Sequence, residues 1–150
     1  MSRIILLDAG PLGLITNPRA SKEGSECNQW MQDQLNKGDW VMVPAISDYE
    51  VRRELVRAGK TAGIARLDRL NIAVGHVPLT TEIMLQAASF WARARNMGKP
   101  SAPDAALDGD VILAAQAEVL SSEGHQVVIA TTNVKHLNLF VDAREWRDIN

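Results

Sequence analysis

A single cysteine, Cys27, stands among 150 residues, which excludes an internal disulfide and any zinc site built from a cage of thiolates. The three histidines, His76, His125 and His136, are scattered singly without metal-ligand spacing, so each reads as a surface or hydrogen-bonded structural residue. A membrane helix needs roughly 20 apolar residues. The longest apolar runs here are four or five residues, interrupted by charge or glycine, and a membrane role is not expected. The N-terminus has neither signal-peptide nor transit-peptide character, so the expected location is the cytoplasm. Charge of one sign is also missing: a net charge of -2 and a pI near 5.9 exert no global pull on a polyanion, which would have to be held by a local patch or through a metal. There is no Gly-x-Ser-x-Gly around a nucleophile, and Gly10-Pro11-Leu12-Gly13 lacks the Lys-Ser and further glycines of a nucleotide loop.

What is present is an α/β pattern. With 46% hydrophobic residues, the chain is expected to form one domain over residues 1–150. Ile4-Ile5-Leu6-Leu7 followed by Asp8 and Gly10 reads as a strand buried on both faces with an acid at its C-terminal end. A short helix around Leu12 to Ile15 ends at Asn17-Pro18, and residues 18–24 read as loop. A helix capped by Gly24 or Ser25 runs through Trp30, Met31 and Leu35 to Gly38, and Trp40-Val41-Met42-Val43 follows as a strand closed by Pro44. Residues 47–58 are expected to be helical, with Ser47 as N-cap and Glu50 completing a capping box. A helix over residues 62–70 precedes the apolar segment His76-Val77-Pro78-Leu79. Thr80 or Thr81 then caps a helix through Met84, Leu85, Ala88 and Trp91. Residues 98–103 form the clearest loop, leading to an alanine-rich helix over residues 104–120, a second buried strand over 126–130 and an edge strand over 145–149. Alternation of this kind points to a three-layer α/β/α architecture around a parallel sheet of four or five strands, with the groups following Asp8, Pro44 and Thr132 along one edge.

Acids recur at that edge. Glu50 and Glu54 share one margin of the apolar stripe Val51, Leu55 and Ala58, and periodicity does not choose between them. Position favours Glu50, a turn nearer the strand end, although a capping-box glutamate remains an even alternative. Asp110 shares a face with Leu107, Ala114 and Ala117, whose small side chains let the helix approach the sheet. At about 100° per residue, Asp108 and Asp104 are rotated roughly 160° and 120° away, and read as acids favoured near a helix N-terminus. Three carboxylates gathered from distant segments repel one another, and a divalent cation between them removes the conflict. Hard oxygen ligands suit Mg²⁺ or Mn²⁺, ions that polarise a phosphoryl oxygen and generate hydroxide, so phosphodiester hydrolysis is the natural chemistry.

These segments resemble the PIN-domain nucleases, and among them the VapC-type ribonuclease toxins. Ile4-Ile5-Leu6-Leu7-Asp8 looks like the opening strand and first acid of that family, and Pro44-Ala45-Ile46-Ser47-Asp48-Tyr49-Glu50 like the approach to its glutamate. The run from Asp110 to Ala117 is similar to its third acidic motif, and the run from Ile129 to Leu137 to its last. The resemblance implies Asp8, Glu50 and Asp110 as metal ligands, Thr131 as a polar supporter, and Asn133 in a fourth catalytic position that is often aspartate. An amide cannot neutralise a second cation, but Asn133 can ligate by its carbonyl or orient a water. It also implies a metal-dependent endoribonuclease leaving a 5′-phosphate, and a cognate antitoxin.

Basic residues cluster at Arg52, Arg53, Arg57, Lys60, Arg66 and Arg69 on the helix that starts at the expected site and the one after it. A solvated face is the commoner meaning of any one such arginine, but together, with Arg52, Arg53 and Arg57 nearest the acids, they form the best candidate for an RNA phosphate track. Trp30, Trp40 and Trp91 read as core or interface rather than base-stacking platforms, and a homodimer could use an exposed apolar surface of the helix carrying Trp30 or of the 62–70 helix. The competing reading is a catalytically weak PIN module that binds RNA or a protein partner. An aspartyl-nucleophile phosphatase is disfavoured because Gly10 stands where a second aspartate is usual.

Overall fold

The computed structural model describes residues 2–97, 104–134 and 136–150, and the backbone alone for residues 104–106. The expected loop over residues 98–103 lies outside the described residues. In chain order the elements are β1 (Ile4–Leu7), α1 (Ala9–Thr16), α2 (Lys22–Asn36), β2 (Trp40–Pro44), α3 (Ala45–Arg57), α4 (Thr61–Val74), β3 (His76–Val77), α5 (Thr81–Asn96), α6 (Asp104–Ser122), β4 (Val127–Thr131) and β5 (Ala143–Glu145). Single 3-10 turns at Leu137–Leu139 and Trp146–Asp148 flank β5.

All five strands are parallel, in the order β3-β2-β1-β4-β5. β1 lies at the centre and pairs on both sides, Ile5 opposite Val41 and Val128. Its four apolar residues are therefore buried on both faces, alternating between two cores. Ile4 and Leu6 face one made by α5 and α6 with Ile83, Phe90, Val111 and Ala114, whereas Ile5 and Leu7 face one made by α1, α2 and α4 with Leu12, Trp30, Met31 and Leu67. This is the expected α/β/α arrangement. The strand order reverses between β1 and β4: one half of the sheet grows from β1 toward β3, the other toward β5. Open parallel sheets carry their crevice at such a reversal, outside the carboxyl ends of the strands.

Several boundaries differ from the sequence expectation, and for some the structure gives the reason. Helix α3 begins at Ala45 with Pro44 in the N-cap position, and Ser47 is fully buried inside the first turn rather than capping it. Proline fixes φ near its observed -67° and donates no N–H, so the chain can leave β2 and enter the helix at once. The capping box is therefore absent, and with it the structural alternative for Glu50. Helix α2 starts three residues earlier than expected because the Ser21 hydroxyl accepts from Gly24 N at 3.0 Å. Helix α4 extends to Val74, ending at Gly75, whose φ of 104° is open to glycine at little cost. The last strand is Ala143–Glu145 instead of residues 145–149, because Trp146 turns inward to pack edge-on against Trp30 at 5.8 Å. Trp30 donates its indole N–H to Ile149 O at 2.9 Å and is 8% exposed, a core residue. Trp40 and Trp91 are the partly exposed indoles.

Candidate functional site

Asp8 follows the last residue of β1 and forms the N-cap of α1. Its carboxylate is tied at both oxygens: Oδ1 accepts from Ala9 N at 2.7 Å, and Oδ2 accepts from the Thr131 hydroxyl at 2.7 Å. Thr131 is the last residue of β4, the neighbouring strand across the reversal, and is completely buried. Its oxygen also accepts from Asn133 N at 3.0 Å, so the loop after β4 is folded around the same hydroxyl that holds Asp8. The two strand ends are kept close by a glycine. A Cβ on Gly10 would meet Thr132 Oγ1 at 2.5 Å and Cγ2 at 2.8 Å, well inside contact distance.

Glu50 reaches the same place from α3, and its carboxylate lies over Gly109 of α6, where a Cβ would stand 3.4 Å from Oε2. The next residue, Asp110, completes the group. Burial raises the proton affinity of all three carboxyls: Asp8 mainly by desolvation, against the lowering effect of Thr131 and Ala9, and Glu50 by desolvation and then by Asp8. Asp110 is pushed up to about 6 by desolvation and by the charge of Asp8. Glu50 thus senses Asp8 and Asp110, and Asp110 senses Asp8, which points to one electrostatic site built from β1, α3 and α6. Glu54 does not belong to it, being exposed and paired with Arg57 at 2.9 Å. Asp108 is exposed beside Met84 and Trp91, and the Asp104 side chain lies outside the described residues.

The donor set is oxygen-only, anionic and mutually repelling, which fits a hard divalent cation. Among the described residues, no three acidic, imidazole or thiol side chains are assembled at metal-holding distance as they stand. Bare carboxylates that repel one another spread apart, and a cation between them would draw them together. Asn133 is exposed beyond β4, near Thr131 through its backbone.

A groove of about 940 Å³ opens beside Glu50 between α1, α3 and the start of α4, lined by Gly10, Gly13 and Leu55 and by the cations Arg19, Arg57 and Lys60. The basic cluster divides once side chains are placed. Arg52 is committed to the fold, bonding both oxygens of Asp48 at 2.9 and 3.1 Å and Asp68 at 2.8 Å. Asn71 of α4 adds a bond to Asp48 at 2.8 Å, so this network fastens α3 to α4. Arg66 donates to Asn17 O at 2.7 Å. Arg53 lies over the Tyr49 ring, 5.1 Å from its centroid, and is near enough to Glu50 to lower its proton affinity. Sequence reasoning missed the Gly10 and Thr132 contact, Gly109 beneath Glu50 and the Asp48 network. The glycine just before Asp110 was a signal for the second of these.

No family model and no curated protein sequence matches this chain. Solved structures do. VapBC-1 from nontypeable Haemophilus influenzae aligns with a TM-score of 0.69 at 16% identity, over 97% of this chain and 99% of that one. VapBC2 from Rickettsia felis, bound to a DNA fragment from their promoter, aligns at 0.71 with 12% identity, over 95% and 98%. Mycobacterium tuberculosis VapC20, a Sarcin-Ricin loop cleaving toxin, aligns at 0.61 with 20% identity, over 93% and 98%. The central parallel sheet, the helices on its two faces and these alignments along nearly the whole chain together give this protein the VapC-type PIN-domain fold.

Proposed function

We propose that this protein is a metal-dependent endoribonuclease, the toxin of a toxin-antitoxin pair, with Mg²⁺ or Mn²⁺ held by Asp8, Glu50 and Asp110. The observation that carries the reading is the meeting of three carboxyls of raised proton affinity at the strand-order reversal. A structural acid cluster has no reason to tolerate that repulsion, whereas a cation site requires it. When bound, the cation supplies Lewis acidity to a phosphoryl oxygen and lowers the pKa of a water. The chain's own residues bind and orient. Thr131 and Ala9 N fix the Asp8 carboxylate in one rotation, and the buried β1 and β4 hold that pair rigid. Water oxygen bonds to phosphorus and releases a proton to solvent, the bond from phosphorus to O3′ breaks with its electron pair on O3′, which takes up a proton from solvent, and the ends are a 5′-phosphate and a 3′-hydroxyl. Asn133 would orient a water or ligate through its carbonyl. Two of the similar structures are VapBC assemblies, which supports an antitoxin protein as partner.

The test is cleavage of RNA in Mg²⁺ or Mn²⁺ by the wild type, by Asp8→Asn and by Asp110→Asn. Both variants should lose cleavage while their circular dichroism stays unchanged. Equal residual cleavage in the two would defeat the proposal. A second reading, a catalytically weak PIN module that binds RNA or a protein partner, is favoured by one observation: the carboxyls are not preassembled at metal-holding distance among the described residues. RNA binding without metal-dependent cleavage by the wild type would establish it.

A further inference from the structure

The chain contains a single tyrosine, and the fold places it in water immediately before Glu50. Tyr49 is 57% exposed on α3, one turn before Arg53, whose guanidinium stacks over the ring at 5.1 Å. Arg53 also acts electrostatically on Glu50, so the stacked pair borders the acidic site. Arg53 forms no salt bridge among the described residues, in contrast to Arg52 and Arg57 on the same helix, which are paired with Asp48 and Glu54. A lone aromatic ring and an uncommitted planar cation, held against each other, give a preordered π surface with positive charge. Both parts stack on nucleobases, and neither reads a sequence.

We infer that Tyr49 and Arg53 form a platform for one unpaired nucleobase of a single-stranded RNA, beside the phosphate that faces Asp8, Glu50 and Asp110. The inference rests on the ribonuclease reading above and adds which residues of α3 would meet a base of the RNA. A paired base is already stacked on both faces within its helix and has no face to offer. Arg53 would contact a phosphate or the base plane, and Tyr49 the base alone.

The experiment measures binding of a short fluorescein-labelled single-stranded RNA of mixed sequence by anisotropy, in calcium buffer so that a hard cation offsets the carboxylates. Tyr49→Phe should bind within about two-fold of wild type, since it keeps the ring. Tyr49→Ala and Tyr49→Leu should each bind about 5- to 100-fold more weakly, the range for loss of one base stack. Melting temperatures should stay level because the side chain is exposed. If Tyr49→Leu binds as well as Tyr49→Phe, or Tyr49→Ala as well as wild type, the platform is refuted while the ribonuclease reading stands. If wild type binds no RNA, both fall together.

Discussion

Replacing Asp110 by asparagine should make the metal-free protein more stable, and only where the carboxyl would be ionised. Burial and Asp8 push this carboxyl from 3.8 up to about 6 in the folded chain. Because the folded value lies above the unfolded one, the native state binds the proton more tightly. Its contribution is full below about pH 3.8, declines as pH rises, and is gone above about 6. A displacement of about two units corresponds to roughly 3 kcal/mol, and solvent around a partly exposed carboxylate cuts this by about half, leaving ~1.5 kcal/mol. For a chain of this length that is about 3–6 °C in melting temperature. Asp110→Asn should therefore melt that much higher than wild type in EDTA at pH 8, with a smaller gain at pH 4.5. Adding Mn²⁺ should raise the wild type and leave the variant unchanged, reversing their order. The reasoning fails if the variant melts lower at pH 8, or if its offset is the same at both pH values.

The remaining expectations concern the supports of the site. Thr131→Val keeps the shape of a fully buried residue but removes the donor to Asp8 Oδ2; a charge-assisted bond of about 1.5–3 kcal/mol is lost, so Mn²⁺ affinity measured by calorimetry should fall at least ten-fold. Gly10→Ala forces a Cβ against Thr132 and should cost about 1–3 kcal/mol in urea unfolding, with part of the loss restored by Thr132→Ala. Arg52→Gln breaks the bonds to Asp48 and Asp68, so it should lower the melting temperature while changing RNA affinity less than Arg53→Gln does.

Much of the fold could be read from one chain because its strands are buried on both faces, and such strands announce themselves as apolar runs. Ile4 to Leu7 and Val127 to Thr131 are of this kind, and the acid or threonine ending each marks the sheet edge. Thr80 was legible as a cap because its hydroxyl does accept from Ile83 N, at 3.2 Å. Ser47 misled by the same rule: Ser47 and Glu50 have capping-box spacing, but the helix had already begun after Pro44. The pattern records spacing and not where the helix starts. Which arginines face the site was illegible for a related reason. Arg52 and Arg53 are adjacent, yet a 100° step turns one toward Asp48 and Asp68 and the other toward Tyr49. The 145–149 edge strand failed because Trp146 pairs with Trp30, a contact across 116 positions that no local pattern encodes.

The central claim is that Asp8, Glu50 and Asp110 share a divalent cation. Calorimetric titration of Mn²⁺ at pH 6, in buffers of different ionisation enthalpy, tests it directly because an ion that binds there must displace protons from Asp110. The account expects Mn²⁺ uptake with proton release that shrinks toward pH 8, and no uptake by Asp8→Asn or Asp110→Asn. A wild type that binds no Mn²⁺, or variants that bind it as tightly as wild type, would contradict it.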